Sequence, residues 1–426
     1  MTNTIDVTID AVGSRGDGLA RAPDGTALFV PLTVPGDQVR VRSGQARAGG
    51  AVAEVMELLA VGGDRVAARC AHYASCGGCS LQHWSDSAVL EWKRGKVRAA
   101  LGHRGLETSV APTLATPPGE RRRARLAVKR GGDTIALGFR ARASRRVVPL
   151  GLCPLLAPGL QALLMPLKEF AAAILQSDEE AQFELTQTDG GVDLVVESAR
   201  RLGPDVISSA VAFASAHGLA RVSWRADASS YAELVVRHAS TEVVFGGVSV
   251  EIPAGAFIQA SQTAEAALVG EVLAATAKAK RVADLFAGCG AFTFPLAGHA
   301  QVHAVESNAT AVAAVAAAAS GRAGMSVTAE VRDLERRPLM DNELAKYDAV
   351  VLDPPRRGAR PQAEVLAKST VRTVAYVSCD IGTFARDARL LVNGGYVLQK
   401  VVPVDQFLWS AHVELVGVFT KEIKRR

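Results

Sequence analysis

Apolar and polar residues alternate along the first 60 positions of the chain, with glycine-rich breaks between short runs. Segments 27–30 and 38–41 have the two-residue period of half-buried strands. We therefore predict a small OB-like β-barrel over residues 1–60. The pattern fits oligonucleotide binding and fits a structural cap equally well. The arginines that we expect to be exposed on this barrel are Arg15, Arg21, Arg40 and Arg42.

After residue 60 the pattern becomes a looser mixture of strand-like and helix-like stretches, which continues to residue 250. A helix is predicted over 85–101, and basic, strand-like sequence begins at Arg121. A second basic run covers 140–146. We predict a central α+β domain over 61–250, whose basic runs are available to contact a polyanion.

Residues 251–426 show a regular alternation of apolar strand-like segments with helix-like segments. This alternation is typical of a parallel, doubly wound sheet, so we predict an α/β, Rossmann-like domain here. Two final strands are predicted to run antiparallel to the others. The parallel strands are predicted at 281–286, 301–305, 326–330, 348–352 and 371–377, and the final pair at 396–402 and 412–420.

The chain has 426 residues, of which 49% are apolar and 21% charged, so several buried cores can form. Lysine and arginine exceed aspartate and glutamate by 48 to 43, a net charge of +5 that permits a nucleic-acid partner without requiring one. The first residues lack the features of a signal peptide, and no apolar run reaches the ~20 residues that a membrane span needs. We expect a soluble cytoplasmic protein with no membrane contact.

Six cysteines are present, and three of them are close together at positions 70, 76 and 79. A disulfide framework is not expected in a cytoplasmic chain of this size. The close group indicates metal binding, while the scattered cysteines include candidates for a catalytic thiol.

A strand followed by a glycine turn at residues 282–290 has the features of a nucleotide-cofactor site. Glycines let the backbone approach a ligand, and the helix predicted over 292–297 presents its N-terminus to it. The second strand ends in Glu306, where an acid suits the two hydroxyl groups of a ribose. NAD-dependent enzymes share this geometry, but the Asp-x-x-x-Gly-x-Gly pattern and the antiparallel final strands favour a methyltransferase.

Candidate reacting groups lie where the later strands end. Asp353 follows the fourth strand, in Asp-Pro-Pro-Arg, and Cys379 follows the fifth. Ligands of open α/β sheets bind outside these strand ends, so both side chains should face the crevice. A helix beginning near residue 383 is expected to lower the pKa of Cys379, which favours a nucleophile over a buried, inert thiol.

Glu414 stands in an otherwise apolar strand near the C-terminus. His412 lies two residues earlier, so the two side chains are expected to share one face of the strand. A carboxylate among apolar neighbours is costly to bury and needs a partner or a function. The alternative is a solvated acid on an edge strand.

In this order along the chain, the motifs resemble those of the RNA uracil-C5 methyltransferases, and the resemblance covers nearly all residues. The chain is most similar to the bacterial form with a TRAM barrel, an iron–sulfur centre and a methyltransferase domain, which includes enzymes that methylate 23S ribosomal RNA. The resemblance implies S-adenosylmethionine as methyl donor, Cys379 as the nucleophile that adds to uracil C6, and Glu414 as the base that removes the C5 proton. The residues that it implies for S-adenosylmethionine binding are Gln259, Phe286, Gly288, Glu306, Asp333 and Asp353.

The same resemblance implies a metal cluster with RNA as the partner and no obligate protein partner. Four thiolates suit either zinc or a [4Fe–4S] cluster, and the spacing alone favours structural zinc. Because the similar family carries an iron–sulfur centre, we expect a [4Fe–4S] cluster that holds the domain together, with zinc as the alternative occupant. The implied ligands are Cys70, Cys76, Cys79 and Cys153.

Other functions stay open. A tRNA uracil-C5 methyltransferase differs only in its substrate, and an RNA cytosine-C5 methyltransferase usually carries a second cysteine after the fourth strand. An amino methyltransferase would have an aromatic residue at Arg356, and a non-catalytic RNA-binding or folding factor would not need Cys379 and Glu414. The chain departs from the family pattern at Ser261, Ala291, Asp380-Ile381 and Leu408-Trp409-Ser410, the last standing where Pro-His-Thr is common.

Overall fold

The computed structural model describes residues 4–322 and 324–422. Over this range, six strands form an N-terminal sheet: β1 Thr4–Thr8, β2 Ala11–Val12, β3 Gly18–Arg21, β4 Ala27–Val30, β5 Gln38–Arg47 and β6 Gly50–Ala60. Their order is β1-β5-β6-β4-β3-β2, and only β4 and β6 pair in parallel. Val7 lies opposite Val39 and both are buried, as the two-residue alternation requires.

The arginines of this sheet differ in how they are held. Arg40 forms ion pairs with Asp6 and Glu57, and Arg42 pairs with Glu54. Arg15 and Arg21 are exposed as predicted. Half of the basic residues predicted for the surface of the barrel are therefore engaged in cross-strand ion pairs, which contribute little to stability at exposed positions.

A helix and a short strand follow, α1 Asp86–Gly102 and β7 Ser109–Val110. Ser85 caps α1 by accepting the Ala88 N–H. The apolar face of α1 packs into the core of the C-terminal sheet through Val97 and Leu101, and β7 pairs in parallel with strand Val397–Val404. Residues 86–110 therefore lie with the C-terminal sheet, although they precede the central sheet in sequence.

In the described part of the chain, the central sheet has seven strands in the order β10-β9-β8-β11-β12-β13-β14: β8 Arg123–Gly131, β9 Thr134–Arg140, β10 Val147–Pro149, β11 Glu180–Thr188, β12 Gly191–Glu197, β13 Leu219–Arg225 and β14 Glu233–Arg237. The helices of this region are α2 Pro158–Ala162, α3 Leu164–Ile174 and α4 Pro204–His217. Phe170 of α3 stacks on Phe213 of α4, with 4.5 Å between ring centres. A hairpin, β15 Glu242–Phe245 and β16 Val248–Glu251, leads into the C-terminal sheet.

The C-terminal strands are β17 Arg281–Leu285, β18 Gln301–Glu306, β19 Val327–Val331, β20 Ala349–Leu352, β21 Thr373–Ser378, β22 Val397–Val404 and β23 Glu414–Thr420. The helices are α5 Gln262–Thr276, α6 Thr293–Ala297, α7 Ala309–Ala319, α8 Asp341–Leu344, α9 Arg360–Leu366 and α10 Ile381–Asn393. The sheet order is β19-β18-β17-β20-β21-β23-β22-β7, and β23 runs antiparallel to both of its neighbours. The prediction of a parallel, Rossmann-like sheet is confirmed. Of the two final strands predicted to be antiparallel, β23 is so, whereas β22 is antiparallel to β23 and therefore parallel to β21. Among the described helices, none has the length and apolar character needed to cross a membrane.

Candidate active site

Four side chains form a continuous chain of hydrogen bonds at the carboxyl edge of the C-terminal sheet. Gln259 donates from Nε2 to Asp353 Oδ2 (3.2 Å) and accepts at Oε1 from Gln406 Nε2 (2.9 Å). Gln406 Nε2 also donates to Glu414 Oε2 (3.2 Å), while its Oε1 accepts the Ala260 N–H (2.9 Å). Gln259, Gln406 and Glu414 are 2%, 4% and 3% exposed, so water competes little for these bonds.

Neighbouring strand ends bring Cys379 next to this chain of side chains. Ser378 lies opposite Leu415 in the β21–β23 ladder, so Cys379 and Glu414 are neighbours across the two strands. Asp353 directly follows β20, which pairs with the other side of β21. Because parallel strands end at the same edge of the sheet, one thiol and two carboxyl groups meet there.

Burial dominates the acid–base properties of these groups. Burial, followed by the Asp353 carboxylate, raises the pKa of Glu414 to about 8. Burial and then Asp284 raise the pKa of Asp353 to about 7. Burial, followed by Glu414 and Asp353, raises the pKa of Cys379 to about 11. The expectation that the adjacent helix lowers the pKa of Cys379 is therefore wrong, because burial and two carboxylates outweigh the dipole of α10.

Arg356 lowers the pKa values that burial raises in this site. Its positive charge favours the ionised forms of Cys379 and Glu414 and so opposes part of the rise in their pKa. Its guanidinium group lies 3.5 Å from His412 Nδ1. His412 is exposed and precedes β23, so the prediction that it shares a strand face with Glu414 is wrong, because the strand begins only at Glu414. The burial of Glu414 also rules out a solvated edge-strand acid.

The glycine turn after β17 has a backbone conformation that few side chains adopt. The φ angle is +64° at Phe286 and +54° at Gly288, and positive φ at a bulky residue is costly and concentrated at functional loops. The Gly288 N–H donates to Glu306 Oε2 (3.2 Å), so the predicted ribose-binding acid lies against the turn. The Arg332 N–H donates to the Glu306 carbonyl (2.8 Å). This bond places Asp333 at the same edge, where its carboxylate accepts backbone N–H groups of the following turn.

The sequence prediction omits two residues of this site. Asp284 is fully buried, and among the described residues its Oδ1 has no hydrogen-bond partner, whereas Oδ2 accepts from Thr293 Oγ1 (2.5 Å). Burial raises the pKa of Asp284 to about 7. The sequence feature that could have identified Asp284 is the position of an acidic residue inside an apolar strand. Nothing in the local pattern marks Gln406, since its role depends on Gln259, 147 positions away in the sequence.

The four cysteines that the sequence predicts as cluster ligands line one narrow cavity, together with Tyr73, Phe139 and Leu150. The Gly78 N–H donates to Cys76 Sγ (3.4 Å), and the positive charge of Arg121 acts on Cys153 and Cys79. Across residues 4–322 and 324–422, no group of three or more histidine, cysteine or acidic side chains is arranged to hold a metal ion. The structure thus gathers the four thiols without establishing a metal centre.

A basic cleft of about 350 Å³ opens beside Gln406. Phe257 at its edge is 61% exposed, and the Arg123 guanidinium lies 5.2 Å from the centre of its ring. Cationic and aromatic side chains in one groove are the combination that binds single-stranded nucleic acid. The cleft is lined by Arg121, Arg123, Arg125, Arg225, Phe257 and Phe407, with Glu184 among them.

A Rossmann-like sheet closed by an antiparallel strand, with a glycine turn and acidic side chains at its strand ends, defines a class I methyltransferase domain. Residues 246–423 match the family model described as tRNA (Uracil-5-)-methyltransferase, and residues 3–55 match that of the TRAM domain. The chain belongs to the S-adenosylmethionine-dependent RNA uracil-C5 methyltransferase family. The resemblance to this family is therefore confirmed, and so is the TRAM domain expected with it.

Relatives are similar over almost their full length. A protein of Caulobacter vibrioides described as an uncharacterized RNA methyltransferase is 45% identical over 424 residues, which cover 98% of this chain and 100% of the relative. The 23S rRNA (uracil(1939)-C(5))-methyltransferase RlmD of Halomonas elongata is 36% identical over 426 residues, covering 96% of this chain and 88% of the relative.

The fold is also found among solved structures. One example is the Pyrococcus abyssi tRNA (uracil-54, C5)-methyltransferase in complex with S-adenosyl-L-homocysteine, which superposes with a TM-score of 0.75. The match covers 97% of this chain and 99% of that chain at 24% identity. At this identity the likeness concerns the arrangement of the elements rather than the choice of substrate.

Proposed function

We propose that this protein methylates C5 of a uridine in RNA, and that the RNA is 23S ribosomal RNA. The observation that carries the proposal is the meeting of the Cys379 thiol with the buried Glu414 carboxyl group across neighbouring strand ends. Uracil C5 is a poor nucleophile, so a thiol and a base in contact with one pocket are what its methylation requires.

The first role belongs to Cys379. Its thiolate adds to uracil C6, which forms the S–C6 bond and moves the C5–C6 π electrons into an enolate centred on C5. A thiol with a pKa of about 11 is almost entirely protonated at neutral pH, so the site must change when substrates bind. The Arg356 charge already favours the thiolate, and a cation bound beside Asp353 offsets a negative charge that raises the thiol pKa. The thiol proton passes to solvent, so Glu414 stays ionised for the last step.

S-Adenosylmethionine, when bound, supplies an electrophilic methyl group for the C5 carbon. Gln259, Glu306 and Asp353 offer polar groups for it around the glycine turn formed by Phe286 and Gly288. Asp333 lies at the same edge for the adenosine end. Asp284 Oδ1, which has no hydrogen-bond partner in the described part of the chain, and the neighbouring Asp353 carboxyl group suit the positive charges of the donor.

The second role belongs to Glu414. After methylation the adduct carries a proton on C5, and Glu414 removes it; the C–H electrons re-form the C5–C6 double bond and expel the Cys379 thiolate. The raised pKa of about 8 makes this carboxylate a stronger base than a solvated one. Gln406 donates a hydrogen bond that holds one oxygen of the Glu414 carboxylate in place. Burial keeps water from solvating the carboxylate and weakening it as a base.

RNA binding follows from charge and exposed aromatic surface. The target base must be unstacked to reach Cys379, at a cost of a few kcal/mol unless it lies in a loop. The arginine-lined cleft beside Gln406 and the TRAM barrel offer backbone contacts that offset this cost. The relative named for 23S rRNA, which is 36% identical over 96% of this chain, favours ribosomal RNA over tRNA as the substrate.

We propose further that Cys70, Cys76, Cys79 and Cys153 hold a [4Fe–4S] cluster. The donor set fits, since four thiols face one cavity, a backbone N–H donates to Cys76 Sγ and the cationic Arg121 is near. Anaerobically purified protein should contain about four iron and four sulfide per chain. A single zinc without sulfide would replace this proposal with a structural zinc site.

Nucleoside mass spectrometry tests the reaction. The purified protein is incubated with S-adenosylmethionine and either unmodified 23S rRNA or unmodified tRNA, with the Cys379→Ala variant as the matched control. We expect 5-methyluridine in the ribosomal sample alone, and none with the variant. 5-Methyluridine only in tRNA would overturn the substrate, while 5-methylcytidine, or no product with either RNA, would overturn the reaction.

A further inference from the structure

The loop at residues 405–413 joins β22 to β23 and carries both ends of the proposed base assembly. Gln406 lies at its beginning and Glu414 follows its end. The Gln406–Glu414 hydrogen bond closes the loop on itself across 3.2 Å. Any shift of this loop therefore moves the carboxylate and the amide that holds it together.

Helix α1 clamps the loop at several points. Lys93 is fully buried and donates to Asp405 Oδ1 (2.5 Å) and to the Phe407 carbonyl (3.1 Å). Lys96 donates to the Ala411 carbonyl (2.5 Å). These two lysines hold both ends of the loop against α1. The middle of the loop is held by contacts with a different part of the molecule.

Trp409 supplies that contact in the middle of the loop. Its side chain is 3% exposed and packs in the core of the central sheet rather than that of the methyltransferase domain. Its indole Nε1 donates to Asp86 Oδ1 (3.1 Å). Its carbonyl accepts the N–H groups of Ser80 (2.7 Å) and Leu81 (2.9 Å), which directly follow Cys79.

Trp409 has a strained backbone conformation, which the surrounding contacts must stabilise. Its φ angle is +52°, a left-handed conformation that a bulky side chain adopts only when packing and hydrogen bonds over-determine it. Strain of this kind concentrates where a loop must hold a functional group in one place. The residue also belongs to Leu408-Trp409-Ser410, one of the segments where this chain departs from the pattern of its family.

We propose that Trp409 is a positioning residue, which anchors the 405–413 loop in the central core and thereby fixes Glu414 for removal of the C5 proton. The inference rests on the proposed function, since it assigns Trp409 to one step of that reaction. Addition of Cys379 and methyl transfer take no proton from Glu414 and give none to it, so Trp409 acts chiefly on the last step.

The test compares turnover with formation of the covalent adduct. RNA transcribed with 5-fluorouridine carries no proton at C5, so its methylated adduct with Cys379 persists and reports the steps before proton removal. Trp409→Ala is compared with Trp224→Ala, a matched control, because Trp224 is buried in the same core and also uses its indole N–H once. Trp409→Phe keeps the aromatic packing and tests rescue.

For Trp409→Ala we expect turnover to fall about 100-fold, the effect of an ångström-scale displacement of a reacting group. The KM for RNA and the rate of adduct formation on 5-fluorouridine RNA should stay at the wild-type values, and adduct should accumulate on ordinary RNA. Trp224→Ala should keep full turnover, and Trp409→Phe should recover most of it. If Trp409→Ala does not fold, Trp409→Leu, which keeps an apolar side chain in the core without the aromatic packing, should show the same turnover loss without slower adduct formation.

Equal slowing of adduct formation and turnover, or an equal loss in Trp224→Ala, would overturn the assignment and leave Trp409 a structural residue. Failure of the proposed function has a different signature: wild-type protein would form neither 5-methyluridine nor adduct. The two failures are therefore distinguishable in one set of reactions.

Discussion

The molecule treats buried carboxyl groups in two opposite ways. In the central sheet, Asp193 accepts two hydrogen bonds from Arg221 at 2.9 Å each, and Glu184 and Glu197 share Arg225. In the crevice of the methyltransferase domain, within the described part of the chain, Glu414, Asp353 and Asp284 form no ion pair. Their hydrogen bonds come from the neutral side chains of Gln406, Gln259 and Thr293.

The difference separates structural acids from reacting acids. The charge of a buried carboxylate that is paired with arginine is compensated within the fold. Burial without such a partner raises the pKa of the carboxyl group, which can then bind a proton or a cationic ligand. Three carboxyl groups with pKa values raised to about 7 or 8 crowd one edge of one sheet. Three uncompensated carboxyl groups at one site lower the stability of the fold. This arrangement is typical of a site that binds a cation or transfers a proton.

The largest expected effect comes from Glu414→Gln. The amide keeps the size of the side chain but cannot remove the C5 proton, so turnover should fall about 10³-fold. Adduct formation on 5-fluorouridine RNA should continue. Nucleoside mass spectrometry and denaturing gels measure the two quantities.

The same substitution should raise the melting temperature at pH 8. The folded-state pKa of Glu414, about 8, lies above the ordinary value near 4.3, so the group lowers stability progressively as the pH rises from about 4.5 to 8. The glutamine removes this dependence. Differential scanning calorimetry at pH 5 and pH 8 should show wild type losing more stability over that interval than the variant. A variant that melts below wild type at pH 8 would contradict the assignment of Glu414 as an uncompensated acid.

The sequence predicts the positions of the proposed reacting groups better than it predicts their surroundings. Cys379, Asp353 and Glu414 each follow or begin a strand that the apolar pattern reveals, and the parallel-sheet rule brings those ends together. The glycine turn and Glu306 are predicted for the same reason. Each of these inferences needs only local periodicity and one rule of topology.

What the sequence does not reveal is set by long-range contacts. The proposed role of Gln406 depends on its hydrogen bonds with Gln259 and Glu414. The proposed role of Trp409 depends on the N–H groups that its carbonyl accepts from Ser80 and Leu81. The sequence predicts that the following helix lowers the pKa of Cys379, but burial, followed by the Glu414 and Asp353 carboxylates, raises it. Burial and charge of this kind are properties of the packed structure, and no local pattern encodes them.

The smallest expected effect, about 10-fold, is a change in affinity for S-adenosylmethionine. It should distinguish the acids of the crevice from the arginine-paired acids of the central sheet. Asp353→Asn keeps the acceptor for Gln259 Nε2 but removes a negative charge from the crevice, so the Kd for S-adenosylmethionine should rise about 10-fold. Isothermal titration calorimetry measures it. Glu184→Gln, the matched control, breaks the pairs with Arg123 and Arg225; it should lower the melting temperature without changing this Kd.

The pH dependence of binding sharpens the same contrast. Because burial raises the pKa of Asp353 and Asp284 to about 7, both are largely protonated at pH 6 and largely ionised at pH 8. A cationic ligand prefers the ionised form, so wild-type affinity should increase from pH 6 to pH 8, and Asp353→Asn should flatten that increase. Glu184→Gln should leave the slope intact, since its carboxylate is already compensated by arginine. An increase that survives in Asp353→Asn would assign the titration to Asp284 or Glu414, and the same measurement on Glu414→Gln would separate these two.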